Sequence, residues 1–407
     1  MRVLLIYPYY TDKIRSKDRV EFPPLGLLYI ASSIEALGHV VDVISFENPS
    51  FEIKLTHDYD IIGYGITASV TYPMFLKINP NLIGKSEFTI AGNCHVNIFP
   101  EKVLSELNLD KVFVGESEDT IQKYISSPDH KKEIIRGSNV DINNIPFPAR
   151  HLLPDNHIYL NNRIGGQLDN AISMISTRGC LSNCSFCAVY NKKTIRYRSF
   201  ENFEREVEFL KYSYPNVSGI VLLDENFTIN NEHVLGISKV LKNYNFPWEC
   251  NSRVDTLNRD NIISLAKNGC AEAKLGLESG SMSLLKKMNK KIAISQIEDV
   301  MNNCKMYGLS IKLYLMHGFP GENMQTTNET IDFLERNKHK VSRIALYRFS
   351  PLPGSGIFNS HKIRKRNWGD YTIYSNDLHW FGSDEEYEIV NSSYVKLNNY
   401  INQTFKQ

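Results

Sequence analysis

The sequence predicts an α/β protein of two domains in series, a doubly wound flavodoxin- or Rossmann-like parallel sheet and then a partial, TIM-like (β/α)6 barrel. Three observations predict it. Short apolar runs alternate with helix-period segments through the first 130 residues, the pattern of a parallel sheet covered on both faces. A second alternation, of six strand–helix units, starts at Ile172. A run of three cysteines follows the first strand of that second series, at the end of a barrel where catalytic loops gather. At 407 residues the chain is long enough for both domains and a small extra piece. The expected division is 1–130 for the first domain, 131–170 for a linker, 171–356 for the barrel and 357–407 for a short extension.

The first domain opens on residues 3–7, an apolar run that reads as a buried strand, and Pro23 and Pro24 end the loop after it. Leu27, Ile30, Ala31, Ile34 and Leu37 then recur at helical spacing, with Gly38 as a C-terminal stop. Strands are expected at 40–46, 59–66, 87–91 and 111–114, and helices at 100–107 and 117–125. Small polar loops follow three strands: Gly65-Ile-Thr67-Ala-Ser69, Gly92-Asn-Cys-His95 and Gly115-Glu116. Parallel sheets bind ligands at such ends, and glycine lets a backbone approach a flat ligand closely. Asn143-Asn-Ile-Pro-Phe-Pro-Ala-Arg150 is a proline-punctuated connector.

In the second domain, strands are expected at 172–175, 219–223, 248–251, 272–277, 310–316 and 343–349. Helices are expected at about 200–212, 232–243, 258–268, 281–286, 295–307 and 324–337. Four later strand ends carry polar or glycine-rich groups: Asp224-Glu225-Asn226-Phe227, Asn251-Ser-Arg253, Glu278-Ser279-Gly280 and Gly318-Phe-Pro-Gly321. All of them point at one mouth.

The cysteine run is Cys180-Leu-Ser-Asn-Cys184-Ser-Phe-Cys187. Three thiolates at this spacing can hold three irons of a cubane cluster and leave the fourth open to a substrate. A cluster held wholly by protein takes four cysteines, so the missing ligand points to chemistry rather than electron carriage. Structural zinc wants four ligands, usually as two close pairs, and Cys94, Cys250, Cys270 and Cys304 are scattered singly. A disulfide framework does not suit a long chain with seven cysteines and no secretory signal. The net charge of +1 suggests no nucleic-acid partner. No apolar stretch approaches the roughly twenty residues of a spanning helix. A cytoplasmic protein is expected, which suits thiols that must stay reduced.

From about Ala171 to Gly356 the chain resembles the radical S-adenosylmethionine (SAM) superfamily, through Cys180, Cys184, Phe186 and Cys187 and the strand-end series after them. The resemblance implies a 4Fe-4S cluster on the three cysteines, whose open iron chelates SAM. An electron from the reduced cluster would cleave SAM to a 5′-deoxyadenosyl radical. It also implies roles for further residues: Phe186 beside the adenine, Glu225 and Asn226 on the methionine amino group, and Arg253 on the carboxylate through a bidentate pair. Glu278 and Ser279 would take the ribose, and Gly318 and Pro320 would offer backbone to the adenosine.

The first domain, through Pro24-Leu25-Gly26-Leu27, Gly92-x-x-His95 with Pro100-Glu101, and Gly115-Glu116, resembles the cobalamin-binding domain that precedes many radical SAM enzymes. That family usually reads Gly-Gly-Pro-His in the fourth loop; here Asn93 and Cys94 stand in place of the second glycine and the proline. The Asp-x-His-x-x-Gly motif that brings a histidine to cobalt is absent, and Asp155-Asn-His157 reads as linker. Cobalamin would be bound by Leu25, Gly26, Thr67, Ser69, Gly92, His95, Gly115 and Glu116.

Together these resemblances imply a cobalamin-dependent radical SAM methyltransferase acting on an unactivated carbon or on phosphorus of a small molecule. Its electron would come from an external donor of the flavodoxin or ferredoxin type. Two alternatives stand beside it: a cobalamin-binding radical SAM enzyme for cyclisation or rearrangement, and a non-catalytic corrin-binding or sensing module. A methylthiotransferase fits less well, since that family carries three further cysteines before the cluster loop and only Cys94 precedes it here. In the tail, Trp368, Tyr371, Tyr374, Trp380 and Phe381 are expected to pack against a neighbour, the alternative being that they cap the barrel or line a substrate pocket. Lys362, Arg364, Lys365 and Arg366 read as a solvated basic face or as a contact for an anionic substrate.

Overall fold

The computed structural model describes residues 1–8, 23–46, 53–154, 158, 170–190, 193–360, 363–364, 366–372 and 379–405. The readings at Asp155, His157, Lys362, Lys365 and Tyr374 lie outside them. The chain forms two compact units, Met1–Leu160 with Arg366–Tyr371, and Asn161–Lys365 with Thr372–Gln407.

The first unit is a six-stranded parallel sheet of β1 (Arg2–Pro8), β2 (Val40–Phe46), β3 (Tyr59–Gly65), β4 (Ser86–Gly92), β5 (Lys111–Val114) and β6 (Glu133–Arg136). The order β2-β1-β3-β4-β5-β6 reverses between β1 and β3, the switch point at which doubly wound sheets take ligands. Helices α1 (Leu25–Glu35), α2 (Tyr72–Leu82), α3 (Cys94–Ile98), α4 (Pro100–Glu106) and α5 (Glu118–Ser126) connect the strands. Gly38, with φ of +80°, ends the turn after α1 in a conformation that a Cβ would strain.

One core cluster joins Leu4, Ile6, Ile62 and Tyr64 of the sheet to Tyr72, Phe75 and Ile78 of α2. The burial of each such aliphatic or aromatic side chain contributes about 1.5–3 kcal/mol. Helices α2 and α3 and strand β6 depart from expectation, α3 because Cys94–Ile98 makes a single short turn inside the expected loop. Helix α2 carries Pro73 in its first turn, where no N–H is needed, and Pro80 near its end; these prolines masked its buried face in the sequence. Strand β6 occupies the beginning of the expected linker, since four residues with two apolar ones show no readable period.

The second unit holds β7 (Ala171–Met174), β8 (Thr177–Arg178), β9 (Arg196–Tyr197), β10 (Gly219–Leu222), β11 (Trp248–Ser252), β12 (Cys270–Glu278), β13 (Ile311–His317) and β14 (Arg343–Arg348). Six of these form a parallel sheet in the order β14-β13-β12-β11-β10-β7, the expected partial barrel. Its helices are α6 (Phe200–Ser213), α7 (Asn231–Asn243), α8 (Arg259–Lys267), α9 (Met282–Lys287), α10 (Ile294–Tyr307), α11 (Met324–Asn337), α12 (Gly356–Ser360) and α13 (Asp384–Thr404). Side-chain caps start several of them. Ser199 accepts from Asn202 N at 3.1 Å, and Asn230 accepts from His233 N at 2.9 Å.

The tail expected as a short extension contains a 21-residue helix, α13, opened by a reciprocal Ser383–Glu386 capping box. His317 Nε2 lies 3.1 Å from both Thr327 Oγ1 and Ser393 Oγ, so this helix is tied to the end of β13. No helix among the described residues is long and apolar enough to cross a membrane.

Candidate active site

The cysteine loop leaves the sheet after β7, and the antiparallel pair β8–β9 closes its base through Thr177–Tyr197 and Arg178–Arg196. Asp224, fully buried at the end of β10, anchors the entry to the loop. Its carboxylate accepts from Ser176 N at 2.8 Å, Thr177 N at 2.5 Å, Ser176 Oγ at 2.9 Å and Thr177 Oγ1 at 3.0 Å. Burial raises its pKa to about 6 even against those bonds. His233 Nε2 sits 2.9 Å from Ser176 Oγ, and burial lowers its pKa to about 4, which keeps the ring neutral. On the exit side, Arg198 binds the Ile175 carbonyl at 3.1 Å and forms a buried ion pair with Glu206.

Within the loop, the Ser182 amide donates to Cys180 Sγ at 3.4 Å, and Arg253 Nη1 donates to Cys184 Sγ at 3.2 Å. The Lys193 amide donates to the Cys180 carbonyl at 3.0 Å. From the far side, Met288 O accepts from Ser185 N at 3.0 Å, and Ile357 N donates to Ser185 O at 2.8 Å. Phe186 packs on a small apolar cluster of Leu284, Met288, Phe319, Phe349 and Ile357, with Lys290 Nζ 5.8 Å over its ring.

The donor set fits an incompletely ligated cluster. Cys94 is exposed and Cys250, Cys270 and Cys304 are buried, each standing alone in the sequence, so the run itself offers three sulfurs and not four. Among the described residues no three His, Cys, Asp or Glu side chains converge on a point that could hold one ion. N–H donors on two of the sulfurs suit thiolates, which gain from charge-assisted bonds.

The expected SAM residues divide. Glu225 is exposed, and its Oε2 accepts from the Gly179 amide at 3.3 Å, beside the first cysteine. Asn226 is buried, with Oδ1 taken by Thr256 at 3.0 Å and with Nδ2 lacking any partner, an orphan suited to a bound ligand. Arg253 departs from expectation. Its bidentate edge already holds Asp255 through two 2.9 Å bonds, and Nη2 also reaches Lys290 O at 3.0 Å. Burial works against the cation, but Asp255 and Cys184 hold its pKa above the ordinary arginine value.

Glu278 has φ of +69° at a bulge in β12 and pairs with Lys290 at 2.7 Å. Ser279, expected at the ribose, is 2% exposed, with its hydroxyl 3.2 Å from Thr330 Oγ1. Of that pair only Glu278 is partly exposed. A Cβ on Gly280 would sit 2.6 Å from Thr330 Cα, so helix α11 can pack there only on glycine. Gly318 and the half-buried Pro320 flank Phe319 in the turn after β13. Sequence reasoning missed Lys290, Asp255 and the Ser176–Thr177–His233 set. Asp224 stood inside a quoted strand end, and that was the one available signal.

In the first unit, the strand-end loops are wired together. Ile66 N donates to Gly92 O at 3.0 Å, His95 N to Ile66 O at 3.2 Å, and Gly115 N to Asn97 Oδ1 at 2.8 Å. Gly26 is exposed with open space where a Cβ would lie, and Gly92, Gly115 and Thr67 are half-buried. Such uncovered backbone fits a broad flat corrin. Leu25 is buried in the first turn of α1, and Glu116 accepts from Val140 N at 3.1 Å.

His95 and Ser69 depart from expectation. His95 is 0% exposed, stacked on Tyr72 at 4.3 Å, with Nδ1 2.9 Å from Ser69 Oγ and no partner on Nε2. Burial, with Lys102 nearby, lowers its pKa to about 4. Both residues build the loop from beneath rather than face a ligand. Trp368 belongs to this unit, and its aromatic neighbours among the described residues include Tyr72, His95, Phe99 and Tyr371.

Two family profiles match the chain: that of the radical SAM superfamily over residues 174–334 and that of the B12 binding domain over residues 13–125. An uncharacterised methyltransferase of Pyrococcus horikoshii is 26% identical, covering 98% of this chain and 92% of its own. The bacteriochlorophyllide d C-12(1)-methyltransferase of Chlorobaculum tepidum is 23% identical, covering 91% and 81%. Among solved structures, the radical SAM methyltransferase TsrM of Kitasatospora setae shares the fold with a TM-score of 0.64 at 14% identity, over 88% of this chain and 75% of that one.

Proposed function

Because the chain belongs to the cobalamin-dependent radical SAM methyltransferase family, we propose that it methylates an unactivated carbon, or phosphorus, of a small-molecule substrate. Its cofactors are a 4Fe-4S cluster, SAM and cobalamin. When bound, the cluster and SAM supply a 5′-deoxyadenosyl radical and cobalamin supplies the methyl group. One observation carries the reading: a loop of three cysteines, with no fourth in the run, whose Cys180 and Cys184 sulfurs each receive an N–H donor.

The chain's own residues then take these parts. Cys180, Cys184 and Cys187 hold the cluster. Glu225 takes the methionine amino group of SAM, and the unpartnered Nδ2 of Asn226 offers a donor beside it. Glu278, braced by Lys290, takes the ribose. Phe186, Gly318 and Pro320 line the adenosine. In the first unit Leu25, Gly26, Thr67, Gly92, Gly115 and Glu116 meet the corrin. Relatives that act on a bacteriochlorophyllide, or on a cytidylyl-2-hydroxyethylphosphonate in Streptomyces wedmorensis, support a small molecule as the substrate. An external flavodoxin- or ferredoxin-type protein delivers the electron, in a cytoplasm that keeps the thiols reduced.

The test is anaerobic reconstitution with iron and sulfide, followed by titration with cobalamin. Iron and sulfide near four of each per chain, with saturable corrin absorbance, are expected. Absent corrin uptake at saturating cobalamin would sink the methyl-transfer reading, and Cys184→Ala should lose the cluster while retaining corrin.

A further inference from the structure

The segment Arg366–Tyr371 is remote in sequence from the first unit, yet it is part of that unit. It makes a short helical turn at Trp368–Asp370, started by Asn367, whose N–H donates to Asp370 Oδ2 at 3.1 Å. Trp368 packs against the core cluster that contains Tyr72 and Val96. Its ring lies edge-on to His95 at 5.2 Å and 79°, and 4.9 Å from the Phe99 ring. Lys102 Nζ stands 5.6 Å over the indole. Tyr371, 6% exposed, continues the contact at 5.8 Å from Trp368.

What lies under the indole matters. His95 ties the end of β4 to the end of β3 twice, through its backbone to Ile66 O and through its ring to Ser69 Oγ. Its other ring nitrogen is buried without a partner, a state that persists only while water is kept away. Tyr72, Phe99 and Trp368 enclose the ring, and of these only Trp368 comes from outside the strand-end loops and their helices. A roof supplied by a remote segment therefore covers the point at which these two loops are joined.

We propose that Arg366–Tyr371 is a structural part of the B12-binding unit and that Trp368, as a positioning residue, holds the Ser69 and His95 loops in the form that receives the corrin. The corrin half of this proposal rests on the functional reading above. It places a determinant of cobalamin affinity far downstream of the segment that the B12 binding domain profile matches, residues 13–125.

The test uses the full-length reconstituted protein with Trp368→Ala and Trp368→Phe, the second keeping an aromatic roof. Reaction of His95 with diethyl pyrocarbonate is followed by peptide mass spectrometry, and cobalamin affinity by absorbance titration. Wild type and Trp368→Phe should protect His95. In Trp368→Ala, His95 should react at least about tenfold faster and cobalamin should bind at least about tenfold more weakly, with iron and sulfide content unchanged. Protection of His95 in Trp368→Ala, or an unchanged cobalamin Kd, would overturn the proposal. If wild type itself takes up no cobalamin, the functional reading and the corrin half fail together, and the His95 reactivity alone decides the docking half.

Discussion

Arg253 donates to the Cys184 sulfur at 3.2 Å while Asp255, two residues on, holds the other edge of the same guanidinium through two 2.9 Å bonds. With the further bond to Lys290 O, four of the five N–H donors are committed. Asp255 thereby sets the face that the cation shows to the cysteine. A charged donor on a cluster thiolate favours the more negative, reduced state. Replacing Arg253 by Gln should therefore lower the midpoint potential of the reconstituted cluster by tens of millivolts. A redox titration followed by electron paramagnetic resonance reads the shift, and an unchanged potential would show that Arg253 and the cluster are uncoupled.

Asp224 is the anchor of the same loop, and its two nearest variants should behave differently. Asn keeps one oxygen for the Ser176 and Thr177 amides and can donate its NH2 to Ser176 Oγ. Ala leaves those two buried amides, both bound to Oδ1, without an acceptor. Asp224→Ala should cost on the order of 3 kcal/mol and retain little iron. Asp224→Asn should keep most of its iron. Chemical denaturation and iron analysis compare them, and equal behaviour of the two variants would count against the anchor.

Asn93 has φ of +87° and ψ of −169°, a region that is nearly glycine's alone. Its side chain offsets part of the strain by accepting from Cys94 N at 2.8 Å. Asn93→Gly restores the residue that the resembling family usually has and relieves strain of about 1–3 kcal/mol. It loses a few tenths as a cap and about 0.5–1 kcal/mol in chain entropy. A net gain of about 1 kcal/mol should appear as a higher Tm of the first unit. A lower Tm would mean that the strain is small.

Glu322, buried beside the Gly318 turn, has its pKa pushed up to about 7 from 4.5 by burial, in spite of bonds from Thr326, Gly318 and Thr327. A carboxyl with a higher pKa in the folded state holds its proton more tightly there. The stability it contributes is full below 4.5 and is lost as pH rises through about 7. Glu322→Gln removes that loss. The stability of the variant relative to wild type should rise by about 3 kcal/mol between pH 4.5 and about pH 8. Urea melts at several pH values measure this, and a flat difference would contradict it.

Much of this was legible in the sequence, for identifiable reasons. Residues 40–46, 111–114 and 324–337 have the expected bounds because unbroken apolar or helical periods end there at turn residues. The cysteine loop and the polar strand ends were readable because barrel topology gathers whatever follows each strand. Lys290 was not readable, since it meets Glu278, Phe186 and Arg253 only after the chain has folded. The sequence points Arg253 toward a ligand carboxylate, whereas Asp255 supplies a carboxylate to it from within the chain. His95 and Trp368 show the same limit. A residue 273 positions downstream, from 95 to 368, lies edge-on against the histidine ring.

The most direct test of the central claim is mass-spectrometric product analysis of the reconstituted, cobalamin-loaded protein given methyl-labelled SAM and a strong reductant under anaerobic conditions. The account predicts S-adenosylhomocysteine and 5′-deoxyadenosine together, with the latter abolished in Cys184→Ala. A protein carrying its full complement of iron and corrin that yields 5′-deoxyadenosine alone would contradict methyl transfer. One that yields neither product would contradict radical SAM chemistry at this site.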